Sequence, residues 1–217
     1  MTSETLPATI AAAVEYKLEA KKSVFLARLT PVQSVTEADA VVAAVRKKHW
    51  DAGHHCTALV VGPHADRQRS NDDGEPGGTA GAPMLDVLRH RNVTDLVAVV
   101  TRWFGGTLLG AGGLVRAYGS AVSGALNEAT MVDRVYLTRV SAHAPHADAG
   151  RVLAFLHLWA AEHGAILDEP VYAQDVTLAV RVPPPLVERL QADTAALTAG
   201  EVAVIAGETE VCDQMRR

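Results

Sequence analysis

Two segments concentrate the side chains and backbone that could do chemistry. The first, 71–83, reads NDDGEPGGTAGAP and sets Asp72, Asp73 and Glu75 among four glycines, Thr79 and two prolines. Carboxylates take hard cations or a cationic partner through oxygen, while glycines leave backbone N–H groups open to anions. The same composition also builds a rigid turn, with Asp side chains bonded to their own backbone and glycines supplying positive φ. It is not an EF-hand loop, which needs carboxylates at alternate positions and a distal glutamate. The second segment, 101–119, reads TRWFGGTLLGAGGLVRAYG and carries Gly105, Gly106, Gly110, Gly112 and Gly113 between Arg102 and Arg116. A strand running through small residues into a helix is how phosphate-cradling loops are built, because the helix dipole favours an anion there. The Gly-Lys-Ser/Thr of a Walker loop is missing, as is GxGxxG in its usual register. The competing reading is close helix–sheet packing through the glycines, with the arginines paired to Asp72, Asp73 or Glu75.

Other reactive residues form no constellation. His49, His54, His55 and Cys56 invite a zinc reading, but neighbours on a strand point to opposite faces and no second spaced pair follows. The same alternation denies Cys56 a base in His55. No triad, no carboxylate pair at catalytic spacing and no HExxH motif occurs, so no catalytic residue, metal or cofactor is assigned. Trp103 and Phe104 end a buried strand and read as core or a ledge facing a partner. The scattered His143, His146, His157 and His163 read as surface or satisfied residues.

These segments need elements to hold them. An alternating stretch at 22–31 reads as a strand. Residues 34–51 read as a helix, with Thr36 as its cap, acids at its start and Arg46, Lys47 and Lys48 in its last turn. A strand at 54–62 precedes a long aperiodic passage, 63–83, of the kind that is functional or disordered. A short helix from Met84, a strand at 94–104 apolar enough to be covered on both faces, and an Ala-rich helix from Leu114 complete the first half. The second half reads strand, helix, strand, strand, helix, strand over 136–145, 146–164, 165–173, 174–183, 184–200 and 201–211. That order is βαββαβ, a ferredoxin-like unit with both helices on one face of an antiparallel sheet. Residues 1–15 carry no turn signal and no aromatic before 16, and read as an extension or frayed start.

The totals agree with two α+β units, 16–132 and 135–213, joined near 131–135. The chain has 217 residues, 48% of them hydrophobic, enough for two cores. Its net charge of −5 lies wholly after Arg134, where eleven acids face six bases. Before that point fourteen acids balance fourteen bases, so any basic patch for nucleic acid belongs to the first half. The two cysteines form no disulfide framework, and no signal peptide or membrane-spanning run stands out, which implies a cytoplasmic protein with reduced thiols.

Four stretches in this order, KSVFLARLTPV, EADAVVAAVRKKHWDAGHHC, NDDGEPGGTAGAPMLDVL and VVTRWFGGTLLGAGGLVRAYG, resemble the signature of the IMPACT/YigZ family over about 21–126. The family commonly has Ser where Asn71 and Gly77 stand, and Tyr at Trp103. The resemblance implies a first domain like the second domain of small-subunit ribosomal protein five. It implies a second domain that is ferredoxin-like, similar to the fifth domain of elongation factor G. Family members are linked to translational control. The eukaryotic protein restrains a starvation-responsive kinase by binding its activator, but its RWD domain has no counterpart in these residues and that role is not carried over.

The resulting expectation is a translation-linked binding or regulatory protein, contacting ribosome, RNA or a translation-associated protein. The expected binding residues are Asp72, Asp73, Glu75, Thr79, Arg102, Gly105, Gly106, Gly110, Gly112, Gly113, Arg116, Lys47 and Lys48. The alternative is an enzyme or sensor of a phosphorylated ligand that uses the 105–113 glycines. Both require the acidic turn and the glycine hinge to meet in one charged recess, with Asp73 and Arg116 on the same side.

Overall fold

A computed structural model describes residues 6–215. The chain divides into one unit of Met1–Arg134 with Asp213–Arg217, and a second of Val135–Cys212. The first unit runs β1 (Thr9–Ile10), β2 (Val14–Ala20), β3 (Ser23–Pro31), α1 (Val35–Lys48), β4 (His54–Val61), β5 (Arg67–Asn71), α2 (Gly81–His90), β6 (Leu96–Trp103) and α3 (Ala111–Glu128), and then enters β7 (Met131–Ala144).

Its sheet has the order β2-β3-β6-β4-β5, every neighbour antiparallel. Strand β6 lies in the middle, and LVAVVTR is buried at every position, because helices cover both faces. Leu59, Val61, Val97 and Val99 pack with Ala38 and Val45 of α1 on one face. Phe25, Ala27, Ala58, Ala98 and Val100 pack with Met84 and Leu88 of α2 and with Tyr118 and Val122 of α3 on the other. Alternation along the strands divides the two sets.

Five elements of the first unit differ from the sequence expectation, and one is β2, which lies where no strand is expected. The part of 1–15 within the described residues is no loose extension. Ala8 and Ile10 are buried, Thr9–Ile10 pairs with Met131–Val132, and Ala8 bridges Val93. These partners are remote in sequence, and two residues carry no readable period. The helix α1 is capped by Ser34, whose Oγ accepts from Glu37 N–H at 3.1 Å, rather than by Thr36. The aperiodic passage hides β5, RQRSN, exposed at every position. As the sheet's outer strand it carries the charge and polarity that discourage edge pairing, and so shows no hydrophobic pattern. Helix α2 starts at Gly81, so Pro83 lies inside its first turn, where a missing N–H costs nothing.

The second unit continues β7 into α4 (His146–His163), β8 (Ile166–Leu167), β9 (Val171–Tyr172), β10 (Val176–Val182), a 3₁₀ turn at Pro184–Leu186, α5 (Val187–Thr198) and β11 (Val204–Met215). Its strand order, β11-β7-β10-β8, is that of the ferredoxin-like βαββαβ unit. Val152, Leu156 and Trp159 of α4 and Leu190 of α5 cover Val140, Ala142, Leu178 and Val180 of the sheet. Gly164 ends α4 at φ +67, as its position in the sequence suggests. The single strand expected over 165–173 is instead two short pieces, β8 and β9, on either side of Pro170.

Candidate functional site

The pairing registers bring four connections of the first unit to one end of its sheet. Ala20 faces Ser23 at the β2–β3 hairpin, Val24 faces Trp103, and His54 faces Arg102. The Lys21–Lys22 turn, the end of α1, the acidic turn after β5 and the glycine hinge after β6 therefore lie together, with the start of α3. Both motif segments belong to this end.

Each carboxylate of the acidic turn is already occupied. Asp72 Oδ1 accepts from Ala80 N–H at 3.0 Å and Gly81 N–H at 2.8 Å, and Oδ2 accepts from Gly78 N–H at 2.8 Å. It thereby caps α2, whose own preceding residue, Ala80, has no side chain to do so. Burial alone pushes its pKa up, but the three N–H groups outweigh it and leave Asp72 below its ordinary value. Asp73, at φ +44, accepts from Arg46 Nη2 and from His55 N–H, both at 2.6 Å. Burial is again the largest influence, and these two donors again leave the net shift downward. Thr79 donates to Pro76 O at 2.6 Å and is buried.

Glu75 joins the two segments. Its Oε1 accepts from Arg102 Nη1 at 2.6 Å and from Tyr118 OH at 2.7 Å, with His54 Nε2 at 3.9 Å. The guanidinium of Arg102 lies 5.4 Å from the Phe25 ring centre and 5.7 Å from that of Phe104. Its Nη2 donates to Ser23 Oγ at 3.4 Å, and Ser23 Oγ also accepts from Gly105 N–H at 3.2 Å. Turn, hinge, hairpin and helix are thus pinned through one buried ion pair. Of the pairings considered from sequence, Arg102–Glu75 forms. Arg116 has no ion pair or hydrogen bond among the described residues and is exposed on α3, beside β2. Asp73 is bound to α1 and β4, and β3 and β6 separate β4 from β2. The segments meet through Glu75 and Arg102, not through Asp73 and Arg116.

The glycines divide by role. A Cβ on Gly105 would stand 2.0 Å from the Lys22 carbonyl carbon and oxygen, so that glycine is demanded by backbone contact. Gly106 and Gly110 have φ of +81 and +74 and face open space, a Cβ on Gly112 would meet Arg116 Nη1 at 3.7 Å, and no side chain caps the start of α3. A Cβ on Gly113 would press Leu109 at 3.0 Å.

Outward-facing groups at this end are mainly cationic and apolar, with the exposed acids Asp51 and Glu19 taken by Trp103 Nε1 and Lys17. Lys22, Lys47 and Arg116 have no partner among the described residues, Lys48 reaches Glu15 at 3.5 Å, and Lys21 Nζ donates to Leu108 O at 3.4 Å. Trp50, Phe104 and Leu108 are 82%, 57% and 81% exposed. Lys21, Lys22, Trp50 and Leu108 are not among the expected contact residues, and Phe104 enters only in the alternative of core or partner-facing ledge. A strand assigned from Lys22 onward conceals a two-residue hairpin turn, and exposure of an aromatic has no sequence signal.

His54 Nδ1 lies 2.9 Å from Asp73 O and His55 Nε2 lies 3.0 Å from His49 O. Burial, above all, pushes the His55 pKa down. Burial also pushes the Cys56 thiol up to about 12, with its Sγ 3.0 Å from Asp72 O. Among the described residues no three His, Cys, Asp or Glu side chains converge as a metal-binding group, and no helix is long and apolar enough to cross a membrane.

Comparison with known proteins agrees with this architecture. The Impact N-terminal domain matches residues 21–126, and a domain of unknown function, DUF1949, matches 142–201. The IMPACT family member YigZ of Escherichia coli is 38% identical over 210 residues, 96% of this chain and 100% of that protein. The IMPACT family member YvyE of Bacillus subtilis is 44% identical over 144 residues, 66% of each chain. A crystal structure described as that of a hypothetical protein superposes with a TM-score of 0.60 at 36% identity, over 94% of this chain and 98% of that one.

Proposed function

The chain belongs to the IMPACT family, and on that premise we propose that it is a translation-linked binding protein of the cytoplasm that contacts ribosomal RNA through one end of its first unit. The observation that carries this reading is the division of charge at that end. Asp72, Asp73 and Glu75 use their carboxylates on the protein's own N–H groups and cations, while Lys22 and Lys47 stay unpaired at the end that also exposes Trp50 and Phe104. Cations neutralise phosphates and exposed rings stack on unpaired bases. Glu75 and Arg102, being buried, act in this proposal as positioning residues, and Asp72 shapes the turn.

Co-sedimentation with ribosomes across a salt series tests it. Binding should weaken as salt rises, and the variant Lys47→Glu/Lys48→Glu should lose affinity and flatten the salt slope by about one unit per lost phosphate contact. Equal sedimentation of wild type and variant at every salt concentration defeats the proposal.

A further inference from the structure

The β2 edge of the first unit is open along its length. Among the described residues β2 pairs only with β3, and its other side faces no strand. The Lys21–Lys22 turn, with φ of +45 and +67, is a two-residue hairpin of the kind that closes on a hydrogen-bonded pair, here Ala20–Ser23. Alternation from that pair turns the backbone N–H and C=O of Glu15, Lys17 and Glu19 away from β3. Those three residues are exposed.

Beside this edge runs a groove of about 300 Å³ between β2 and α3. Leu18, Ala20, Leu109 and Ala117 make it apolar, and Lys21 and Arg116 stand along it. Its upper end is the glycine hinge, where Gly106 and Gly110 take positive φ and α3 starts without a side-chain cap. A free strand edge, an apolar groove under a flanking helix, and cations next to uncapped N–H groups at one end are the parts of a strand-addition site.

We propose that the β2–α3 groove binds an extended protein segment as a sixth strand on the β2 edge, with apolar side chains under α3 and a carboxylate at Lys21, Arg116 and the glycine hinge. The charge of the groove selects the occupant. Arg116 lacks a carboxylate among the described residues, and the nearby acids Glu15 and Glu19 are paired to Arg28 and Lys17. The contact is separate from the one proposed for RNA, which uses the end of α1.

The test uses the ¹⁵N-labelled full chain. Its probe is a mixture of octapeptides with valine at alternate positions, varied residues between, and a free terminal carboxylate. Saturable shifts at Leu18, Gly113 and Arg116, with slowed hydrogen exchange at the outward amides of Lys17 and Glu19, are expected. Arg116→Glu with Lys21→Glu, and separately Ser120→Trp to fill the groove, should each weaken binding about tenfold or more. Peptides N-methylated at alternate residues should not bind. No saturable shift at millimolar peptide overturns the proposal. So does displacement of the peptide by oligo(U), which would give the groove to nucleic acid, and so does protection of Lys17 and Glu19 that grows with protein concentration alone, which would give it to a second copy. Loss of ribosome binding in the α1-end variant leaves this outcome untouched, so the two proposals fail separately.

Discussion

Glu75 and Arg102 stand 27 residues apart in sequence and 2.6 Å apart in space, with side chains 3% and 7% exposed. A charge pair this far from water is fragile in one direction only. Removing either partner leaves the other buried and uncompensated, which costs about 3–5 kcal/mol. Glu75→Leu and Arg102→Met should each lower the urea midpoint by that order, while the double variant should recover much of the loss. Single and double losses that simply add would show that the pair is not coupled.

Asp72 makes stability depend on acid. Its folded-state pKa lies below the ordinary carboxyl value, so its contribution is complete above about pH 4 and is lost as pH falls through the lower folded value. At neutral pH Asp72→Ala should cost about 2 kcal/mol, since it frees three N–H groups at the start of α2. The difference from wild type should shrink toward pH 2. A gap that stays constant from pH 7 to pH 2 would separate Asp72 from this role.

Neighbouring glycines should respond in opposite degrees. Gly105→Ala drives a methyl into the Lys22 carbonyl and should cost about 3 kcal/mol, with exchange quickening in the β2–β3 hairpin. Gly106→Ala meets no atom, and only its φ of +81 is strained, a cost of about 1 kcal/mol. Equal losses in denaturant titrations would refute the distinction.

Cys56 should be chemically silent in the folded protein. Its thiol is buried and raised to about 12, so at pH 8 almost none is thiolate. Iodoacetamide should label Cys56 only after unfolding, at a rate set by urea concentration. Rapid labelling at Cys56 of the native chain, located by peptide mass, would contradict its burial against Asp72 O.

The sequence shows its core more openly than its edges. Strand β6 is legible because its first five positions, 96–100, are buried and apolar. Strand β5 is not, because all five of its residues face water and an edge strand is selected for polarity. The early segment around Thr9–Ile10 belongs to the core only through partners at Val93 and Val132, which no local window contains. At the site the two motifs stand out by composition, and the meeting of acidic turn and hinge follows from both lying at strand ends. Which carboxylate would reach which cation is not legible. It depends on Asp72 being drawn to the backbone of α2 and Asp73 to α1, which leaves Glu75 for Arg102.

Ser23 Oγ holds the Gly105 amide and the Arg102 guanidinium together, and Arg102 in turn holds Glu75. The loops at this end are therefore tied before any partner arrives. Docking there incurs little ordering entropy, so recognition should be close to rigid-body, with a fast on-rate and a small heat-capacity change beyond the area covered. Discrimination between partners then falls to the side chains that project from this fixed frame, and exchanging them should retune preference without rebuilding the loops.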